Sequence, residues 1–388
     1  MYPNITELNL PWGVMPIRSF GIALMIAFLG GVWWSCKRAV RVKADPDLII
    51  NIALIGLIAA VVGARTFYVL HYWEKFEGKG VGAIFSITEG GFEFYGSFIG
   101  IMIATTSYLL WKGVSLRLYL DILAPSLMFG LAVGRIGCFV NGCCWGGVCA
   151  PELPWAVRFP YASNAYIRQW EERLLTVPAE LIYTPMSGNP SLLNPIGFDV
   201  DPTEYNQRRE AYAEAQRAER EAKQKNKPAA EVAALAKRTQ EARASFAELA
   251  KYYNQIRYQA SRMRMSEDEL RRVALGSSNR SLHVHPVQLY AAINAALIAA
   301  IMNTYFYRRK RHGMVACLFW FMYPVARFIE EAIRTDNPRD TAGLTVSQFV
   351  SVCLLMIGVA WYITVKRLPL HSPKLDRPGP AKGTKAKA

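Results

Sequence analysis

The chain has 388 residues, a formal net charge of +15 and 52% hydrophobic residues. Its mean hydropathy is positive although it carries long charged stretches, so an average over two different materials conceals a membrane component. The basic excess lies largely in short loops between apolar runs and in the tail. Nothing matches a nucleic-acid-binding motif, which removes nucleic acid as an expected partner.

Apolar runs near the roughly 20 residues needed to cross a bilayer recur along the chain. The first four are at 17–36, 48–72, 92–111 and 118–140, and three more follow at 287–307, 314–333 and 346–365. The fold class expected is therefore an all-α integral membrane protein with about seven transmembrane helices. Lys37, Arg38, Arg41 and Lys43 follow the first run, Lys112 and Arg117 the third, Arg308, Arg309, Lys310 and Arg311 the fifth, and Lys366 and Arg367 the last. These alternate loops read as cytoplasmic, with the N-terminus outside and the C-terminus inside. The first run has no basic region ahead of it, so it reads as a retained helix rather than a cleaved signal. Tyr72, Trp73 and Trp145 at span ends read as interfacial anchors.

The expected organisation is a first membrane half (1–149), an extracytoplasmic region (150–282), a second membrane half (283–367) and a disordered basic tail (368–388) that touches anionic lipid. Within the polar region, the stretch through Phe198 reads as irregular structure or short strands. Ala, Glu, Arg, Lys and Gln dominate 203–225 and 229–273, predicting two helices broken at Lys227-Pro228. Such a hairpin, 203–273, reads as a solvated helix pair or as a receiver for a protein partner at the membrane surface.

The fourth run ends in Gly-Arg-Ile-Gly-Cys-Phe-Val-Asn-Gly-Cys-Cys-Trp-Gly, residues 134–146. An arginine inside an apolar span is expensive and marks a pathway or a site. Gly134 and Gly137 are expected to clear space beside Arg135, whose partner must come from another helix or a lipid phosphate; the acid of its own span, Asp121, is several turns away. Cys138, Cys143, Cys144 and Cys149 cluster here. They are packing residues, or form a disulfide on an oxidising face, or serve a metal or catalysis. The adjacent Cys143-Cys144 pair and the lack of a neighbouring histidine do not fit the usual zinc spacings, so no metal is expected. On the sixth run, Tyr323, Arg327, Glu331 and Arg334 fall four, four and three residues apart and share a helix face. Glu331 can orient either arginine, or the set is a structural ion network.

These motifs together resemble the bacterial prolipoprotein diacylglyceryl transferase family, of which the chain is identified as a divergent member. Residues 134–146 resemble its glycine-arginine signature. In the same order come Pro-Ile-Arg-Ser-Phe-Gly at 16–21, Gly-Ala-Arg-Thr-Phe-Tyr-Val-Leu at 63–70, the glycine-rich segment at 90–100, His-Pro-Val-Gln-Leu-Tyr at 285–290 and the sixth-run set. The 203–273 hairpin has no counterpart and reads as an insertion. Where the family has histidine, asparagine, glutamate and an acidic residue, this chain has Tyr95, Cys138, Cys143 and Ala291.

The resemblance implies an enzyme of the bacterial cytoplasmic (inner) membrane. It would move diacylglyceryl from phosphatidylglycerol to the lipobox cysteine of preprolipoprotein signal peptides, releasing glycerol phosphate, with membrane lipids as its other partners. Arg135 and Arg327 would stabilise the charge that grows on the departing phosphate. Tyr95, His285 and Glu331 complete the expected catalytic set, and Asn141, Gly146, Gly96, Gln288, Tyr290, Tyr323 and Arg334, with Arg135, the substrate-binding set. The acceptor thiol, with a pKa of about 8.5, needs a base or a positive field. A tyrosine of pKa near roughly 10 is a poor base, leaving His285, Glu93 and Glu331, although His285 also reads as a cap beside Pro286. The glycines at 90–100 admit a lipid headgroup or simply let helices pack closely. No phosphate-binding glycine loop is present and no cofactor is expected. Two other function classes stay open: a related membrane transferase with a different acceptor, and a non-catalytic lipid-binding scaffold.

Overall fold

The computed structural model describes residues 4–10, 13–78, 80, 82–85, 91, 93–185, 188–334 and 343–372, with backbone alone at 4–10, 13–18, 85, 94, 95 and 248. Of the expected disordered tail, 373–388 lies outside the described residues, as does the side chain of Tyr95, while the start of the tail is ordered: Arg117 donates to the Pro369 carbonyl (2.8 Å) and the His312 N–H to that of Leu370 (3.0 Å). The elements are strands β1 (Asn4–Leu10) and β2 (Gly13–Arg18), then helices α1 (Ser19–Arg41), α2 (Pro46–His71), α3 (Gly82–Phe85), α4 (Phe94–Trp111) and α5 (Leu116–Asn141). Next come α6 (Asn164–Glu171), β3 (Ile182–Tyr183), β4 (Ser191–Leu192), α7 (Pro202–Gln224), α8 (Ala229–Met263) and α9 (Glu267–Leu275). The chain closes with α10 (Val287–Arg308), α11 (Met314–Ile333) and α12 (Val346–Arg367). It is mostly helical and divides into two compact units, Gly147–His285 and the remainder.

In the helical unit, α1, α2, α5, α10 and α12 are long and apolar enough to cross a membrane. The apolar stretch of α4 is shorter, and α11 carries Arg327, Glu330 and Glu331 in its C-terminal half. The core is built from Ile49 and Ile52 of α2, Leu118, Ile122 and Met128 of α5, Met302 and Phe306 of α10, and Phe319 of α11. The exposed leucines and isoleucines of α1 and α2 form the apolar exterior that a lipid solvent accepts.

Two basic residues assigned to solvated loops are core residues instead. The chain pairs as a β-hairpin through Arg18, so α1 starts at Ser19, later than expected, and runs on to Arg41. That places Arg38 inside the bundle with no exposed surface. Its Nε donates to the Ile122 carbonyl (3.0 Å), its Nη1 to Asn303 Oδ1 (3.1 Å) and its Nη2 to Ser126 Oγ. Arg309 is likewise buried, its Nε 2.9 Å from Asp121 Oδ2. Asp121 also accepts the backbone N–H groups of Gly313 (2.7 Å) and Ala316 (2.9 Å). A carboxylate of α5 thus caps the first turn of α11, where the helix dipole favours an anion. Gly313 has φ +94°, and a side chain there would meet Val365, so only glycine serves.

The small residues of α2 and α4 form a close crossing. A Cβ on Gly63 would strike the Gly96 carbonyl, one on Gly96 the Gly63 carbonyl, and one on Gly100 the Ala59 carbonyl. Gly96, expected at the substrate, is a packing residue because its Cα face is filled by the α2 backbone.

In the unit Gly147–His285, α7 and α8 run antiparallel: Tyr205 bonds Asn254 (2.7 Å) and the Thr239 hydroxyl donates to the Ala215 carbonyl (3.2 Å). The helix expected over 229–273 is broken. Arg264 adopts a left-handed conformation, and Ser266 with Glu269 forms a capping box that starts α9. The inner end of the pair is integral to this unit: Ile256, Ala260, Leu270 and Ala274 pack with Tyr161, Tyr166, Leu181 and Phe198. Deleting all of 203–273, as an insertion reading suggests, would remove a large part of that core.

Three outcomes are expected in unfolding of the detergent-solubilised protein. Asp121→Ala costs about 3–5 kcal/mol by stranding Arg309, and Asp121→Ala with Arg309→Met recovers most of that loss. Leu270→Ala costs about 2–5 kcal/mol. Removing 216–238 and rejoining Ala215 to Thr239 through a short glycine-rich turn shifts the midpoint by less than roughly 4 °C.

Candidate active site

The C-terminal end of α5 is shaped by its cap. Gly142, at φ +74°, ends the helix in the left-handed conformation, its N–H bonding back to Cys138 and Phe139. Cys144 follows in the same region at φ +62°, which a residue with a Cβ adopts at a cost. The Cys143 N–H returns to the Cys138 carbonyl (3.1 Å), and the fully buried Gln288 of α10 donates from Nε2 to the Cys143 carbonyl (2.8 Å). Gln288, expected at the substrate, therefore holds this loop in place. The sulfurs of Cys138, Cys143 and Cys144 all lie within 4.8 Å of one another, and all seven cysteines are free.

Arg135 lies one turn before Cys138. It is half-buried and, among the described residues, makes no ion pair or hydrogen bond. Gly134 does leave open space, since a Cβ there would meet nothing within 4 Å. Gly137 does not clear space for Arg135: a Cβ on it would meet Ala23 at 2.7 Å, so it seats α5 against α1. Asp121 is committed to Arg309 and α11, some 21 Å away along the α5 axis by the 1.5 Å rise per residue.

The C-terminal half of α11 supplies the second group of charges. Glu331 is buried, with Arg327 Nη2 2.7 Å and Arg334 Nη1 3.8 Å from its Oε2. Arg327 Nη2 also donates to Ser347 Oγ (3.0 Å), while its Nη1 is buried with no hydrogen-bond partner among the described residues. Glu331 thus orients both guanidinium groups. Tyr323, one turn earlier, stacks on Phe319.

The Cys144 thiol is held below its ordinary value, first by hydrogen bonding with Cys138 and Cys143 and then by the positive charge of Arg334 and Arg135. The neighbouring Cys143 is pushed up by Cys144 and by burial, against hydrogen bonds from Cys138 and Asn141 that act the other way. Arg135 of α5, Arg334 of α11 and the thiols beyond α5 thus share one neighbourhood. Tyr290 lies in an adjoining shallow groove between α10 and α11, with Ile298, Val325 and Ile329. There Asn294 donates to Glu330 Oε1 (3.0 Å).

His285 belongs to the other unit, where its N–H donates to the Gly147 carbonyl (3.0 Å). Glu93, a candidate base, lies 2.6 Å from His71 Nδ1, a histidine that the sequence reading did not select. The two are 22 residues apart, and no local pattern links them. Arg65, part of a quoted motif, donates to the carbonyls of Ala83 (2.9 Å), Ile84 (2.8 Å) and Gly91 (3.2 Å), fixing the α3 loop.

A model of the prolipoprotein diacylglyceryl transferase family matches residues 8–364. The chain belongs to this family. The phosphatidylglycerol–prolipoprotein diacylglyceryl transferase of Rhodopirellula baltica is 36% identical over 169 residues, which are 42% of this chain and 34% of that protein. The enzyme of the same name from Ralstonia pickettii is 32% identical over 176 residues, 44% of this chain and 58% of its own length. That of Chromobacterium violaceum is 30% identical over 196 residues, 50% of this chain and 69% of its own length. The chain thus spans from about a third to about two thirds of these relatives. Family membership and the long apolar helices make this a multi-pass membrane protein.

Glu331→Gln keeps the shape and removes the anion between two guanidinium groups. It is expected to lower unfolding stability by about 3–5 kcal/mol. A stability within about 0.5 kcal/mol of the wild type would contradict the buried pairing.

Proposed function

We propose that this protein transfers diacylglyceryl from phosphatidylglycerol to the cysteine thiol of an exported prolipoprotein, releasing glycerol phosphate. The observation that carries this reading is the buried Glu331 of α11 held against Arg327 (2.7 Å) and Arg334 (3.8 Å), with the half-buried Arg135 near the end of α5 as a third cation. Two cations oriented by a buried carboxylate, with Arg135 as a third, suit an anionic phosphodiester, and a site of low dielectric makes each contact stronger than in water.

The reaction forms a sulfur–carbon bond at the glyceryl carbon and breaks the bond from that carbon to the phosphate oxygen. The electron pair leaves with the phosphate. Among the described residues Arg135 makes no ion pair or hydrogen bond and Arg327 Nη1 has no hydrogen-bond partner, so both can donate to a ligand. Glu331 aligns Arg327 and Arg334. Asn141, Gly146, Tyr290 and Tyr323 line the approach for lipid and peptide. His285, Tyr95 and the His71–Glu93 pair are the remaining groups for proton transfer.

Seven crossings, α1, α2, α4, α5, α10, α11 and α12, agree with basic residues at the ends of α1, α10 and α12 on the cytoplasmic side. In that topology the ends of α5 and α11 and the start of α10 share the outer face of the bacterial inner membrane, as does the unit Gly147–His285. Exported signal peptides meet the enzyme there.

The test is transfer of labelled diacylglyceryl from phosphatidylglycerol to a lipobox peptide by the purified protein, with a Cys→Ser peptide as control. Arg135→Ala and Arg327→Ala are each expected to lower the rate on the order of a hundredfold or more while the protein still inserts. Unchanged turnover in both would end the phosphate-clamp mechanism, and transfer to another acceptor alone would move the function to a related transferase.

A further inference from the structure

We propose that Cys138, Cys143 and Cys144 form a trithiolate site for zinc whose fourth position receives the acceptor thiol; the role of that fourth position rests on the transferase reading above. The sequence spacing predicts no metal, because it contains an adjacent pair. The tertiary structure brings that pair onto Cys138. The left-handed turns at Gly142 and Cys144 let residues 143 and 144 present both sulfurs to the last turn of α5.

The distances suit a metal better than a bridge. Zinc–sulfur bonds of about 2.3 Å in a tetrahedron put sulfurs ~3.8 Å apart, so sulfurs already within 4.8 Å need to close by about 1 Å. A bridge between Cys143 and Cys144 is disfavoured, since neighbouring Cα atoms are ~3.8 Å apart and disulfides prefer about 4.4–6.8 Å. The loop is held from outside the cluster by Gln288 on the Cys143 carbonyl, the kind of supporting contact that fixes ligand geometry. Three thiolates and a divalent ion leave one net negative charge.

Three protein ligands leave a tetrahedral ion one open position, the arrangement of catalytic rather than structural zinc. An acceptor thiol binding there loses its proton to water, and the zinc-bound sulfur keeps the electron pair that attacks the glyceryl carbon. The carbon–oxygen bond breaks, the phosphate carries away its pair, and the neutral thioether that results binds zinc weakly and departs. No electrons are gained or lost. This supplies the nucleophile in a chain whose position 95 is tyrosine, and it gives Cys138 and Cys143 a shared purpose.

The experiment uses the full chain, purified under reducing conditions in lipid nanodiscs. Elemental analysis is expected to find about one zinc per chain, lost in the Cys138→Ser/Cys143→Ser/Cys144→Ser variant. Cobalt exchanged into the wild type is expected to give thiolate-to-cobalt charge-transfer bands and a tetrahedral spectrum that changes when a cysteine lipobox peptide is added, not when its serine analogue is. Cys144→His, which keeps three ligands, should retain metal with weaker charge-transfer bands. Wild-type protein with all seven thiols titratable and neither zinc nor cobalt bound overturns the site, as does a disulfide mapped within 138–144. Metal that binds without any peptide response, with transfer undiminished in the triple variant, overturns the thiol-activating role and leaves the transferase intact. A peptide response without diacylglyceryl transfer upholds the zinc–thiol site and refutes the transferase reading instead.

Discussion

A charge inside an apolar helix bundle must find its counterpart within the protein, and the positions of these counterparts hold the helical unit together. Arg38 illustrates the most economical solution. With no carboxylate bonded to it among the described residues, its guanidinium spreads its charge over the Ile122 carbonyl, Ser126 and Asn303, tying α1 to α5 and α10. Asp121 answers Arg309 and caps α11 at once, so one carboxylate joins three helices. Both arrangements are satisfied from within, which makes them scaffolding.

The third network differs in what it leaves over. Glu331 is shared by Arg327 and Arg334, and Arg135 adds another cation that makes no ion pair among the described residues. Excess positive charge in a low-dielectric site is unfavourable until an anion arrives. A phosphodiester headgroup is the anion that a membrane offers in quantity, and it suits the transferase proposed above.

Glycine serves two separate ends here. At Gly63, Gly96, Gly100 and Gly137 its missing side chain lets backbones touch, which in lipid supplies helix association that hydrophobicity cannot. At Gly142 and Gly313 its left-handed backbone ends α5 and starts α11. The glycine-rich signature around Arg135 is thus part packing seam, at Gly137, and part turn into the thiol loop, at Gly142, with Gly134 facing open space.

The sequence by itself determined the helices, the motif arginines and the family, because apolar run length, charge spacing at three and four residues, and ordered motifs are local properties. The Arg327–Glu331–Arg334 face was readable for the same reason: one helix carries it. What only the tertiary structure decided depends on partners distant in the chain. Arg38 and Arg309 read as solvated loop charges until α5 is packed beside them, and His71 joins Glu93 across 22 residues. Gly96 turned out to be a packing residue because α2 crosses α4 at that point. The core role of α8 and α9 follows from contacts with Tyr161 and Phe198, on segments too irregular to read as a core. The three thiols are the clearest case, since their spacing argues against a shared site and two left-handed residues bring them together. Backbone dihedrals and helix crossings fix such meetings, and neither is written in the pattern of any one segment.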